Sequence, residues 1–155
     1  MPMNRREILG AAGRLAGGFG LASVVAVPFA SGTPATMQAA IRKIVGEAPI
    51  NRGKVTLDIP PLVENGNTVP VNVSVQSPMT AADHVKAIHI FNEKNPQPNV
   101  ISLRLGPRAG RAMVSTRIRL SDSQRVTAIA ELSDGTFWTG TADVIVTLAA
   151  CVEDL

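Results

Sequence analysis

The thiol of Cys151 is the side chain best suited to covalent chemistry, and it is the only cysteine among the 155 residues. A single cysteine cannot close a disulfide within its own chain, so in an exported protein it is either a reactive thiol or a bridge between chains. Ala149 and Ala150 precede it and Val152 follows. Because residues near a chain end are weakly restrained, we expect residues 149–155 to form a slender arm that presents the sulfur beyond the folded body. The alternative is a buried small side chain, which is common for unpaired cysteines.

Two histidines, His84 and His89, are the only other soft ligands that could work with this sulfur. They are five positions apart in a strand-like segment, so their side chains are predicted to face opposite sides, with His89 on the face of Val85 and Phe91. A zinc site needs three or four converging ligands, and no metal site is therefore predicted. A Cys–His thiol enzyme would need a histidine about 3 Å from the sulfur, and this reading stays open as a further hypothesis.

Arginines give the second half of the chain a basic stripe. They are Arg104, Arg108, Arg111, Arg117, Arg119 and Arg125. Such a run usually marks a solvated surface, and the sharper alternative is a patch that attracts an anion or an acidic protein surface. The formal net charge of +3 does not favour nucleic-acid binding, because residues 1–35 contribute +2 of it and aromatic residues make up only 3% of the chain. The loop Gly106–Gly110 lacks a following helix, so we interpret it as a hairpin turn rather than an anion cradle.

Residues 1–35 have the layout of an export signal. The stretch Asn4-Arg5-Arg6-Glu7-Ile8-Leu9-Gly10 resembles the S/T-R-R-x-F-L-K element of twin-arginine (Tat) signals, with Arg5 and Arg6 as its arginine pair. The apolar run that follows is interrupted by Arg14 and several glycines, which makes a membrane-spanning helix costly. We therefore predict export to the periplasm, with cleavage between Ser31 and Thr36.

The sequence pattern of residues 36–148 predicts one all-β domain that begins with a short helix. The helix is expected over Thr36–Val45, with Thr36 as its cap and Gly46 at its end. After it, alternating apolar residues separated by turn signals predict about seven strands. These strands are 55–59, 69–75, 85–91, 100–105, 111–120, 124–132 and 137–148. Their number and spacing are typical of an immunoglobulin-like antiparallel β-sandwich.

Several segments of the chain are similar to SoxY, the sulfur-carrying subunit of the SoxYZ complex of bacterial thiosulfate oxidation. The segments are Ile59-Pro-Pro-Leu-Val-Glu-Asn-Gly-Asn-Thr-Val-Pro-Val71, Ser77-Pro-Met-Thr80, His84-Val-Lys-Ala-Ile-His-Ile-Phe91, Glu93-Lys-Asn-Pro96, Gly110–Leu120, Ala130–Trp138 and Val146-Thr-Leu-Ala-Ala-Cys151. The resemblance covers residues 36–151, and its most specific part is Glu-Asn-Gly-Asn-Thr-Val-Pro-Val.

This resemblance implies a β-sandwich that pairs with a SoxZ-like subunit and carries sulfur covalently on Cys151. It also implies transient contact with three enzymes: a SoxAX-type haem enzyme that joins thiosulfate to the cysteine, a SoxB-type hydrolase that releases sulfate, and a SoxCD-type enzyme that oxidises the remaining sulfur. The carrier itself is then no enzyme and needs no cofactor beyond its covalently bound substrate.

The C-terminal tail departs from the family pattern. Family members carry Gly-Gly-Cys-Gly-Gly, whereas this chain has Ala149-Ala-Cys-Val-Glu-Asp-Leu155. Alanine and valine restrict the backbone more than glycine, and Glu153 and Asp154 place negative charge beside the thiol. Two carrier-class hypotheses follow: a working thiosulfate carrier, or a divergent paralogue that serves assembly or carries a different sulfur species. The sequence also leaves the partner surface open, with Val69–Val75 as one candidate.

Overall fold

The computed structural model describes residues 31–150, and it shows one helix packed on a sandwich of nine strands in two sheets. The helix is α1 (Pro34–Val45). The strands are β1 (Ile50–Arg52), β2 (Val55–Asp58), β3 (Leu62–Asn65), β4 (Val69–Val75), β5 (Val85–Asn92), β6 (Asn99–Arg104), β7 (Met113–Ile118), β8 (Gln124–Leu132) and β9 (Phe137–Leu148). The predicted all-β sandwich is confirmed. Among the residues described, no helix has the length and apolar character needed to cross a membrane.

Helix α1 begins two residues earlier than predicted, and Thr33 caps it in place of Thr36. The Thr33 side chain accepts a hydrogen bond from the Thr36 amide, and the Thr36 hydroxyl accepts one from the Thr33 amide. This reciprocal capping box satisfies two amides that the first turn leaves unpaired. Pro34 suits the first helical position because its missing N–H would have no partner there. The helix thus begins at Pro34, inside residues 1–35, which are predicted to form the export signal.

The larger sheet has the order β1-β9-β8-β5-β6, and β3 also pairs with β9. Both β1 and β3 run parallel to β9, on the edge of β9 that faces away from β8, so the antiparallel pairing predicted for the sandwich does not extend to this edge. Strands β1 and β3 are also the two strands that are not predicted from the sequence. They span three and four residues, and only Val63 among them is buried, so neither shows the alternation from which a strand is predicted.

The smaller sheet has the order β2-β4-β7, and all its pairs are antiparallel. The loop Gly106–Gly110 connects β6 of the larger sheet to β7 of the smaller one, so it crosses between sheets and the predicted hairpin is wrong. Its centre is a 3₁₀ turn, Pro107–Ala109. Strand β4 alternates between buried and exposed residues as predicted. Because β4 lies between two strands, it offers no free edge to a partner.

Two apolar clusters hold the layers together. The main core lies between the sheets and is built from β-branched residues such as Val69, Val71 and Ile88. A second cluster joins the helix residues Met37, Ile41 and Val45 to the outer face of the larger sheet.

A glycine permits close approach of the two sheets at one point. A Cβ built on Gly140 of β9 would lie 2.8 Å from the carbonyl oxygen of Val55 in β2. Nothing larger than glycine fits there without a backbone shift, which explains a glycine in the middle of a long strand.

A bulge in β5 changes the faces predicted for the histidine strand. The register shifts between Val85 and Ala87, and a bulge moves the residues before it to the other face. Val85 accordingly packs in the main core with Ile88 and Ile90 instead of sharing the face of His89. The alternation argument that separated His84 from His89 does not hold across this bulge.

Candidate functional site

The last described residue, Ala150, is tied into the body at one end of the sandwich. Its amide donates to the carbonyl of Leu120 at 3.0 Å, and only 7% of its surface is exposed. Gly66, in the turn after β3, donates to the carbonyl of Leu148 at 2.8 Å and accepts from the amide of Leu120 at 2.9 Å. These three bonds join the ends of β3 and β9 to the segment after β7.

The absence of a side chain at Gly66 allows this junction. A Cβ at that position would lie 2.4 Å from the Leu120 carbonyl oxygen and 2.9 Å from the Ala150 nitrogen. The Glu64-Asn-Gly-Asn67 turn therefore contacts residues that are far away in the sequence. It determines where the last residues of β9 leave the sheet.

The body extends further toward the cysteine than the sequence analysis expected. The predicted arm, residues 149–155, includes Ala150, which is buried and hydrogen-bonded, while Ala149 is exposed. Cys151 and Val152 lie outside the described residues, as do Arg5 and Arg6 of the predicted Tat signal. The residue that bears the thiol thus follows directly on a fixed point of the fold.

Polar side chains from two loops surround this end of the sandwich. Asn95 donates to the carbonyl of Arg119 at 2.9 Å and accepts from the amide of Ser121 at 3.1 Å. Lys94 forms an ion pair with Asp122 at 2.6 Å. That bond holds the pKa of the Asp122 carboxyl below its ordinary value, helped by a hydrogen bond from the Ser123 amide. These contacts fix the segment from Arg119 to Ser123, on which Ala150 is held.

The histidines lie at a distance from this end. His89 pairs with Ile129 and through it with Thr139 of β9. From Thr139 to Leu148 the strand covers about 30 Å, compared with the about 3 Å that a Cys–His pair requires. His84 lies further away still, at the turn after β8, where its amide donates to the Ser133 hydroxyl. The geometry of the described body therefore disfavours the thiol-enzyme hypothesis.

His89 has a structural environment. It is nearly buried, and its Nδ1 lies 2.9 Å from the Ser102 hydroxyl. Burial lowers the pKa of His89 and Arg104 lowers it further, while Glu131 opposes them. Residues 31–150 contain no group of three or more His, Cys, Asp and Glu side chains placed to hold a metal ion.

The arginine stripe does not form one continuous face. Arg125 is paired with Asp143 at 2.8 Å, and Arg108 lies in the crossover between the sheets. Arg117 and Arg119, at the end of β7, are exposed and border the segment that holds Ala150.

The β3–β9 edge exposes apolar side chains that the sequence analysis did not single out. Leu62, Ile145 and Leu148 are each about 60% exposed, and Leu62 is the register partner of Ile145. We call Leu62 and Ile145 the apolar edge, because Leu148, three positions after Ile145 in the same strand, faces the other side of the sheet. A group of large exposed apolar side chains is a feature of protein interaction surfaces, and this one lies next to the last residues of β9.

Fold and site together define a class of protein: a two-sheet β-sandwich whose last strand leads directly into a segment with the single cysteine of the chain. The family model described as "Sulfur oxidation protein SoxY" matches residues 41–151. The chain therefore belongs to the SoxY family, and the match ends at Cys151.

Solved structures give the same fold. The sulfur carrier protein SoxY from Chlorobium limicola f thiosulfatophilum is 27% identical, with a TM-score of 0.62, over 74% of this chain and 98% of that one. A superoxide reductase (neelaredoxin) from Ignicoccus hospitalis is 19% identical, with a TM-score of 0.55, over 61% and 80% of the two chains. A putative superoxide reductase from Thermotoga maritima is 19% identical, with a TM-score of 0.54, over 63% and 93%. The two reductases share the fold alone. No curated protein sequence matches the chain.

Proposed function

We propose that this protein is the sulfur-carrying subunit of a Sox system and holds thiosulfate-derived sulfur covalently on Cys151. The observation that carries the proposal is the family match, which extends to Cys151 and so includes the only cysteine of the chain. The residue before it, Ala150, is held to the body by the hydrogen bond from its amide to the carbonyl of Leu120. A thiol directly beyond a fixed point can be presented to partner enzymes while the sandwich stays unchanged.

The loading step balances as a two-electron oxidation. The Cys151 thiol and thiosulfate form a sulfur–sulfur bond, the thiol loses its proton, and two electrons pass to a haem enzyme of the SoxAX type. Water then cleaves the bond between sulfur and the sulfonate group in a SoxB-type hydrolase, which releases sulfate and leaves a persulfide on the cysteine. The carrier contributes the attachment atom and its placement, and the chemistry belongs to the partners.

A second candidate function rests on the tail sequence. Glu153 and Asp154 follow the cysteine within three residues, and two negative charges so near in sequence disfavour an anionic substrate at that position. A divergent paralogue with this tail would keep the Sox assembly but serve as an interaction subunit, or would carry a less charged sulfur species. It shares the fold and family with the first candidate and differs in what is found on Cys151.

The partner and compartment belong to the same proposal. A SoxZ-like subunit is the expected stable partner, and the apolar edge is the surface we assign to it. Export by the Tat route follows from Arg5 and Arg6. Replacing both by lysine is expected to leave the protein in the cytoplasmic fraction, and its appearance in the periplasm at the normal level would contradict that route.

The variant Cys151→Ser tests the function. We expect loss of thiosulfate-dependent respiration with an unchanged thermal transition and unchanged partner binding, because residue 151 lies beyond the hydrogen bonds that fix the end of β9. Normal respiration in this variant would contradict a carrier role. A lower melting temperature would show that the sulfur contributes to packing.

A further inference from the structure

A basic groove begins beside the last fixed residue of the body. It has a volume of about 340 Å³ and lies along β6 and β7, the strands at one edge of each sheet. Arg117 and Arg119 line it together with three amide side chains, and Val100, Ile101 and Ile118 supply its apolar part. Ala150 is hydrogen-bonded to Leu120, the residue next to Arg119, so the chain leaves the body close to this groove.

The two arginines give the groove a net positive charge. Both are exposed. The ion pairs within residues 31–150 join other side chains: Lys86 to Glu131, Lys94 to Asp122 and Arg125 to Asp143. The bond from Asn95 to the Arg119 carbonyl holds the rim in place, so the site is formed before anything binds to it.

The tail of the chain has the complementary chemistry. In Val152-Glu153-Asp154-Leu155, two carboxylates stand between two apolar side chains. Residues 151–155, when extended, span about 17 Å, and they start one residue from the fixed Ala150. We propose that the tail binds in this groove, with Glu153 and Asp154 paired to Arg117 and Arg119 and the apolar side chains against Val100 and Ile101. The proposal does not depend on whether Cys151 carries sulfur.

Binding of the tail would hold Cys151 against the body and make its presentation dependent on ionic strength. Exposed ion pairs are weak, and two of them change the populations of bound and free tail by about fivefold. Salt screens such pairs. The tail would therefore act as a latch that partners or salt can release.

A nitroxide label on Cys151 of the purified protein tests the latch, because the chain has no other cysteine to react. At low ionic strength we expect an immobilised component in the electron spin resonance spectrum. The ratio of immobilised to mobile label should fall about fivefold in Arg117→Gln/Arg119→Gln and in Glu153→Gln/Asp154→Asn. Combining the two pairs of substitutions should give no further loss. Salt at about 0.5 M should have the same effect on the unsubstituted protein.

The matched control is Arg108→Gln/Arg111→Gln, which removes the same charge from the crossover at the other end of β7 and should leave the spectrum unchanged. An equally mobile label in the unsubstituted protein and in all variants would overturn the proposal. The proposal would also be overturned if the arginine variant mobilised the label and the acidic-tail variant did not. Binding of a SoxZ-like partner in the groove, with no binding of the tail, would overturn it as well. None of these outcomes changes the mass of what Cys151 carries, so they leave the carrier function separately testable.

Discussion

At the scale of single residues, Gly66 explains why a turn far from the cysteine in sequence belongs to the same site. Its Cα lies so close to Leu120 and Ala150 that only glycine fits, and its own amide and carbonyl bind the ends of two segments. The sequence marks this position only as part of a turn, since the contact joins residues more than 50 positions apart.

The substitution Gly66→Ala is expected to destabilise the fold by about 1–3 kcal/mol, because the new methyl group overlaps two backbone atoms that cannot rotate away. For a domain of this size that lowers the melting temperature by roughly 5–15 °C, as thermal unfolding monitored by circular dichroism would show. Gly106→Ala is the control, since a Cβ there meets nothing within 4 Å. Equal melting temperatures for the two variants would contradict the role of Gly66.

His89 makes a second residue-scale prediction, which concerns pH. Because burial lowers the pKa of His89 below its ordinary value of 6.5, the unfolded chain takes up a proton that the folded chain resists. The free energy of unfolding should therefore be highest above about pH 7.5 and fall as the pH drops through 6.5. The lowered pKa values of Asp122, Asp134 and Asp143 act in a separate window, since their contribution is lost only as the pH falls below about 4.

Urea titrations between about pH 8 and pH 5.5 measure this effect. His89→Asn, which keeps a polar group near the Ser102 hydroxyl, should flatten the dependence. His84→Asn retains His89 and should keep it. An unchanged slope in His89→Asn would show that another group is responsible.

At the scale of elements, the sequence predicted what local alternation encodes. Strands such as Val69–Val75 show apolar residues at every second position, so their existence and inward face follow from the pattern. The pattern does not say which sheet a strand joins. The turn residues at Gly106–Gly110 fit a hairpin and a crossover equally well, and only the packing of the two sheets distinguishes them. Short edge strands such as β3 take their conformation from pairing with β9, which local sequence does not show.

The apolar edge is an element-scale feature with its own prediction. Leu62→Ser/Ile145→Ser should weaken binding of a SoxZ-like subunit at least tenfold, because a central apolar contact is worth about 1.4 kcal/mol or more. Isothermal titration calorimetry with the purified partner measures the affinity. Met113→Ser removes a side chain that is 53% exposed on the other sheet and should have little effect. Loss of affinity in Met113→Ser alone would place the interface on β7.

At the scale of the whole molecule, the sandwich places the helix, the two histidines and the end of β9 in different regions. The helix covers one face of the larger sheet, His84 and His89 lie toward one end of that sheet, and the last residues of β9 leave at the other end beside Gly66 and the basic groove. The family could be predicted from the sequence motifs. The fold class could be predicted from the number and spacing of the alternating segments. The long-range contacts that fix Ala150 became visible only with the structure. Because of these contacts, Ala150 belongs to the body and not to the predicted arm. They also make the acidic tail a candidate ligand of the basic groove.

The most direct test of the carrier function is the intact mass of the protein after incubation with thiosulfate and the oxidising partner enzymes, followed by peptide mapping. We expect an added S₂O₃ group, or a chain of sulfur atoms after hydrolysis, on Cys151 and its removal by a thiol reductant. A Cys151 that stays unmodified while the partner subunit binds normally would contradict it and favour the assembly role.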